Sequence, residues 1–455
     1  MVVNQKLSFF KCLLVVTCII LPWNATAVNH GSLSDKLLSQ KFGRNLVESL
    51  LVKSLLEITQ GNTKQAFNTV NDLIHAAPNF KLAYLIRGDL LSAQSHALET
   101  FGDSAHASNA SNTVVNAEEI EGLREEARTR IDYYLSHKKT SQQPNLLVKL
   151  GAGQTNLIVV DTVKSRLFLY KLVDGSLQYA ADYYVTIGKN GSGKQTQGDK
   201  RTPLGVYFAG QKLNEKLADM YGDAAYPLNY PNELDQHQNK NGSGIWLHGT
   251  PTDTYSRPPR ASDGCVVLSN PDLAALATIL QSGKTPVIIS NNIEWLDGNK
   301  LIQQLNTQAA EKIALQKAID DWRKDWVSQD TDHYLSHYSK KFFYSDGGYQ
   351  QWADYKRGIQ AAKPKVSVQI NDISMFGYPS LQVTNKDTLG SQNLSKETSI
   401  KETSIKETTG SNTQPVVVVN FEQDFKSASL QNKMRKRQYW VNDNNQWKII
   451  YEGAG

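Results

Sequence analysis

The sequence predicts a multidomain α+β protein with an N-terminal α-helical domain, a central β-rich domain and a C-terminal α+β domain in which helices precede a curved sheet. Three observations predict it. Residues 32–138 carry apolar positions at three-four spacing with few β-branched clusters. Residues 143–294 break into short β-branched and aromatic runs separated by Gly, Asn, Asp and Pro. The last third opens with helical periodicity and closes in four strand-like runs. With 455 residues and 40% apolar composition, the chain can fill two or three ordinary cores.

At the start, Lys6 and Lys11 lead into an apolar stretch from Cys12 to Trp23 and then Ala25-Thr26-Ala27, a small-residue pattern of the kind removed after export. Residues 1–27 are therefore expected to be a signal peptide. The competing reading, a membrane anchor, needs roughly 20 apolar residues, and this run has about a dozen. Cleavage would remove Cys12 and Cys18 together with two lysines and no acids, lowering the formal charge from +5 to +3. So small a charge, with no basic block, argues against a nucleic-acid partner.

Residues 28–142 form the expected helical domain. The stretch 55–91 places Gly61, Ala66, Leu73, Pro78 and Ala83 much as a tetratricopeptide-like hairpin does, but one repeat is also what a small helical domain would contain. The segment 117–138, acidic at its start and basic at its end, suits a helix dipole. Residues 143–294 form the β-rich domain, 295–309 a linker helix and 310–455 the last domain. Within the latter, SKETSIKETSIKETTG (395–410) is charged, repetitive and free of aromatics, so 388–412 is expected to be a disordered insertion. Trp322, Trp326, Tyr338 and Phe342 fit a core better than a ligand platform, and Asp332 and His333 fit a helix terminus.

Once the leader is set aside, Cys265 is the one cysteine left. In an oxidising compartment structural cysteines come in pairs, so a single one is a partner-seeking thiol, a buried bystander or a nucleophile. A nucleophilic thiol of ordinary pKa, about 8.5, needs a base, and His248 follows a short apolar strand signal in GIWLHGTP. Gly264, next to the cysteine, permits a tight turn and leaves backbone N–H groups to face an oxyanion. The histidines lack metal-ligand spacing, GKNGSGK (188–194) lacks the order of a phosphate loop, and cysteine chemistry needs no cofactor; none is expected.

The run LIVVDTVKSRLFLY (157–170), the segment from Tyr183 to Phe208 with Thr186, Gly188, Gly198, Thr202, Pro203, Gly205 and Tyr207, then His248-Gly249-Thr250 and the turn Ser262-x-Gly264-Cys265 together resemble the L,D-transpeptidase (YkuD) catalytic domain. Residues 310–453 resemble the cone-shaped nuclear-transport-factor-2-like fold through AIDDWRKDWVSQDTDHYLSHYSKKFF and RKRQYWVNDNNQWKIIYE. The three-part order is similar to that of secreted L,D-carboxypeptidases that trim tetrapeptides, a likeness of architecture more than of motifs.

These resemblances imply an enzyme acting on peptidoglycan stem peptides at the bond between the diamino acid and the terminal D-alanine. Cys265 would be the nucleophile and His248 the base, and the N–H groups of Gly264 and Cys265 would hold the oxyanion. Gly249 and Ser262 would lie at the substrate. An amine acceptor gives transpeptidation and water gives carboxypeptidation; a non-catalytic wall scaffold is the reading from a different class. The family has an arginine two residues past its cysteine, where this chain has Val267; Arg257 and Arg260 are the nearby replacements, or else part of a solvated loop. The location implied is periplasmic and wall-associated, and the N-terminal helices are a candidate surface for pairing two copies.

Overall fold

The computed structural model describes residues 45–95, 97–98, 100–103, 117–136, 142–361, 365–379 and 415–455. The expected leader (1–27) and insertion (388–412) lie outside the described residues. Among the described residues, four helices, Leu46–Thr59, Thr63–Ala76, Lys81–Ser92 and Ala117–Ser136, make the N-terminal part. Asn45 caps the first, its Oδ1 accepting from Glu48 N at 3.1 Å. The first two pack as a hairpin across Gly61, whose φ of 75° is the left-handed geometry that stops a helix. Leu51, Ala66, Val70, Leu73, Phe80 and Ile86 fill the core between the helices, and Tyr255 of the central domain is buried among them.

The central domain is built on a five-stranded sheet in the order Ser176–Tyr184, Arg166–Val173, Asn156–Asp161, Pro286–Ser290 and Gly205–Phe208. Its strands Asn156–Asp161, Pro286–Ser290 and Gly205–Phe208 are buried along their whole length because both faces are covered, whereas the edge strand Ser176–Tyr184 is partly exposed. Ile158, Val160, Leu167, Leu169, Val287 and Ile289 point into the domain's own core. Their neighbours Leu157, Val159, Phe168, Tyr170 and Ile288 point the other way, into a second core shared with Val52 and Ile131 of the helices and with Phe376, Val418, Tyr439 and Ile450 of the C-terminal sheet. Period-two alternation thus assigns each strand residue to one of two cores.

The C-terminal sheet has seven strands, and its outermost strand, Val148–Lys149, comes from the stretch before the central sheet, pairing Val148 with Phe376 and Lys149 with Met375. Residues 295–309, expected as a linker helix, contain the start of one 31-residue helix, Gly298–Ser328, that continues into the last domain. Trp322, Tyr338 and Phe342 are buried in that domain's core, with Trp326 packed at its margin. The helix cap near His333 is Asp330, whose Oδ1 accepts from His333 N at 3.1 Å. Among the described residues, no helix is long and apolar enough to cross a membrane.

Candidate active site

Cys265 and His248 reach one place through strand register. The strand Trp246–His248 runs parallel to Val266–Val267, with Leu247 opposite Val266 and His248 opposite Val267. Side chains two apart share a face, so Trp246 and His248 share one with Val267, and Cys265 directly precedes that strand. One register step on one face separates two β-carbons by roughly 7 Å, a gap that an imidazole and a thiol can close. Val267, where the family has its arginine, is buried directly opposite the histidine.

The turn before Cys265 is tightly specified. Gly264 has φ 127°, and a β-carbon there would lie 2.8 Å from the Arg201 carbonyl oxygen. Thr202, fully buried, donates through Oγ1 to Gly264 O at 3.0 Å and accepts from Gly188 N at 2.9 Å. Ser262 Oγ donates to Cys265 O at 2.7 Å and accepts from Gly264 N at 3.1 Å. Ser262 therefore spans the turn, and the Gly264 N–H, expected to face an oxyanion, is already engaged.

His248 is held in one tautomer. Its Nδ1 lies 2.7 Å from the Gly249 carbonyl, which accepts only, so in the neutral ring Nδ1 carries the proton and Nε2 is left basic. The Tyr221 ring meets the imidazole edge-on at 5.2 Å. A β-carbon on Gly249 would strike Asn270 Oδ1, and Asn270 Nδ2 donates to Thr250 O at 2.9 Å, so Asn270 locks the histidine's strand end.

The electrostatics describe a resting, neutral pair. Burial pushes the Cys265 thiol up to about 11, and Asp263 adds to this; the Trp246 N–H and the charges of Lys194 and Arg257 pull the other way without prevailing. Burial takes His248 down to about 4. Cys265 therefore rests as a thiol: its Sγ–H donates to Gly244 O at 3.2 Å, and it is half-buried and unpaired.

Of the two candidate arginines, Arg257 stands at the site and Arg260 is exposed on the strand Arg260–Ser262, paired with Ile187. Arg257 is half-buried, donates from Nη2 to Met220 O at 3.1 Å, and its charge acts on both Cys265 and His248. Gly249 serves as the close-approach point for Asn270, as described.

The sequence reading passed over Lys194, Gly244 and Asn270. Lys194 closes the segment 188–194 that lacks a phosphate-loop order, and it is buried, with Nζ 2.8 Å from Asp199 Oδ1. Asn270 follows Ser269, whose side chain caps the helix Asn270–Ala277, so the visible signal there was a helix start. Among the described residues no cluster of His, Cys, Asp or Glu could hold a metal ion.

Residues 155–289 match the L,D-transpeptidase catalytic domain family (YkuD), and residues 314–385 and 382–453 match the Cds6 C-terminal NTF2-like domain. No curated protein sequence matches the chain. Among solved structures, the helical cell shape determining protein Pgp2 of Campylobacter jejuni is 24% identical, with TM-score 0.51 over 71% of this chain and 98% of Pgp2. Bd1075 of Bdellovibrio bacteriovorus is 22% identical, with TM-score 0.50 over 69% of this chain and 98% of Bd1075. These likenesses show a shared fold over about 70% of the chain.

Proposed function

We propose that this chain, whose central domain belongs to the L,D-transpeptidase family, cuts the bond between the diamino acid and the terminal D-alanine of peptidoglycan tetrapeptides through an acyl-enzyme on Cys265. The observation that carries the reading is that Cys265 directly precedes the strand Val266–Val267, which pairs with the strand ending at His248, while Nδ1 of the histidine is committed to Gly249 O and Nε2 is therefore basic.

In this mechanism His248 Nε2 takes the thiol proton as Sγ attacks the diamino-acid carbonyl carbon. Proton transfer and attack are coupled, because neither ion is favoured at rest. The Cys265 N–H faces the oxyanion, since the Gly264 N–H is spent on Ser262. Collapse breaks the C–N bond, the imidazolium gives its proton to the leaving D-alanine amine, and a thioester remains. An amine of a second stem peptide, or water, then attacks that thioester, with His248 again taking the proton. The cation at Arg257 stands in for the missing family arginine and binds the terminal carboxylate of the donor.

Water as acceptor is the second reading. It is favoured by the fold shared with Pgp2, a helical cell shape determining protein, and it would make the chain a trimming enzyme that influences cell shape from the periplasm. The test incubates the chain, and its Cys265→Ser variant, with purified disaccharide-tetrapeptide and follows products by mass spectrometry. Tripeptide and free D-alanine alone identify a carboxypeptidase; cross-linked dimers or exchanged D-amino acids identify a transpeptidase. Equal turnover by the variant, or none by either protein, would overturn the cysteine mechanism and leave a wall scaffold.

A further inference from the structure

We infer that the N-terminal helical domain is a positioning element of the active site, in which Glu126 and Ser256 hold Arg257 at the donor's carboxylate. The inference rests on the cysteine mechanism proposed above and extends it to a part of the chain outside the catalytic domain.

Residues 252–258, which lead from the histidine strand toward the cysteine turn, take partners from the helical domain at four positions. Asn79 Nδ2 donates to Thr252 O at 3.1 Å, and Tyr255 N donates to Asn79 O at 3.0 Å. The Tyr255 ring packs 4.9 Å from that of Phe80. Ser256 Oγ donates to Glu126 Oε1 at 2.6 Å. Pro258 lies so close to Gly122 that a β-carbon there would come within 2.7 Å of the proline ring. From the catalytic side, Tyr184 OH and Thr186 Oγ1 each reach the Arg257 carbonyl at 3.0 Å. The backbone of Arg257 is thus clamped between two domains.

The side chain is left free to work. Among the described residues, one acceptor, Met220 O, takes a guanidinium proton, although the group carries five N–H donors. Met220 precedes Tyr221, whose ring lies against His248, so the guanidinium sits beside the catalytic histidine's neighbour.

The Ser256 contact also exceeds what Glu126 itself requires. Glu126 is fully buried and already receives Arg130 Nε and Nη2 on the same Oε1, at 3.1 and 2.8 Å, while Oε2 is without a hydrogen-bond partner. A hydroxyl added to an oxygen that is already satisfied serves the loop more than the carboxylate. Both groups act through Arg257 and are positioning residues.

The experiment compares turnover of disaccharide-tetrapeptide with a free terminal carboxylate against the same substrate amidated at that carboxylate, using the full chain. Arg257→Gln is expected to cut kcat/KM on the free acid by about a hundredfold while the amide changes little. Ser256→Ala and Glu126→Gln are expected to lose about fivefold to tenfold on the free acid, in KM more than kcat, with alkylation of Cys265 by iodoacetamide unchanged. Ser256→Thr, which keeps the hydroxyl, is expected to restore the preference. If Arg257→Gln leaves the acid-to-amide preference intact, the carboxylate role of Arg257 fails and the positioning role falls with it. If Arg257→Gln abolishes the preference while Ser256→Ala keeps it, or slows both substrates equally, the mechanism survives and the positioning inference is overturned.

Discussion

The catalytic sheet is gripped from two sides, and the two grips differ in kind. Against the helices lies a buried charge network: Glu48 receives both Arg130 and, at 2.5 Å, Arg166, while Arg166 also approaches Asp182 at 3.3 Å. The two guanidiniums stack on aromatic rings, Arg130 over Tyr184 at 3.8 Å and Arg166 over Tyr133 at 4.1 Å. Against the C-terminal domain the contact is mainly an apolar core, edged by the pair Glu233–Arg437 at 2.9 Å and by His237 stacked on Phe343 at 3.7 Å. Apolar packing tolerates small errors in geometry, whereas a buried network does not, because a partner left behind is an uncompensated charge. The rigid grip is the one that borders the Arg257 loop, which suits the positioning role proposed for it.

The sharpest way to break this contrast is Glu48→Gln. It leaves Arg130 and Arg166 short of their shared counter-charge and is expected to cost about 3–5 kcal/mol in denaturant unfolding monitored by Tyr and Trp fluorescence. A loss under 1 kcal/mol would remove the distinction between the grips.

Next in size is the reactivity of the thiol between them. With its pKa near 11, Cys265 holds roughly three-hundredfold less thiolate at pH 7 than a free thiol of pKa about 8.5. Iodoacetamide alkylation, followed by intact mass, should be slower by about that factor and should climb with pH toward 11. A fast plateau between pH 5 and 8 would indicate a resting ion pair and refute the neutral one.

The neutral histidine carries its own pH dependence. Its folded pKa, about 4, lies below the unfolded value of about 6.5, so folding favours the neutral ring. The contribution is complete above about pH 6.5 and is lost as pH falls toward 4, reaching on the order of 3 kcal/mol. His248→Gln should flatten the stability curve in that window; an unchanged slope would contradict the assigned environment.

At the softer grip the effects shrink. Arg437→Gln removes the bond to Glu233 at a partly buried site and is expected to cost about 1–2 kcal/mol. His237→Ala removes one exposed stacking contact and should cost about 0.5–1 kcal/mol. Either variant matching Glu48→Gln in thermal melts would show that the C-terminal grip is the rigid one.

Several features were legible because they depend on local chemistry. The Ser262-x-Gly264-Cys265 turn and His248 before Gly249 are short-range patterns, since a left-handed glycine and a strand-end histidine are set within a few residues. The helical hairpin around Gly61 and the core role of Trp322 and Tyr338 were visible for the same reason. Lys194 and Asn270 were not: one acts through charge at a distance, the other through a β-carbon that Gly249 lacks. The neutral state of Cys265 was hidden as well, because burial is a property of the assembled site.

By itself the sequence determined the chemical kit, one unpaired thiol with an imidazole, and the strands that place them, because residue type and period-two patterning are written in the chain. It also determined that the central domain would be built from short β-branched and aromatic strands. Tertiary structure alone decided what covers the second face, why Val148–Lys149 joins a sheet built more than 200 residues later in the chain, and which arginine reaches the cysteine. The reason is physical. Apolar surface specifies burial without specifying its partner, and a surface charge acquires its role only when folding sets what lies within a few ångströms of it.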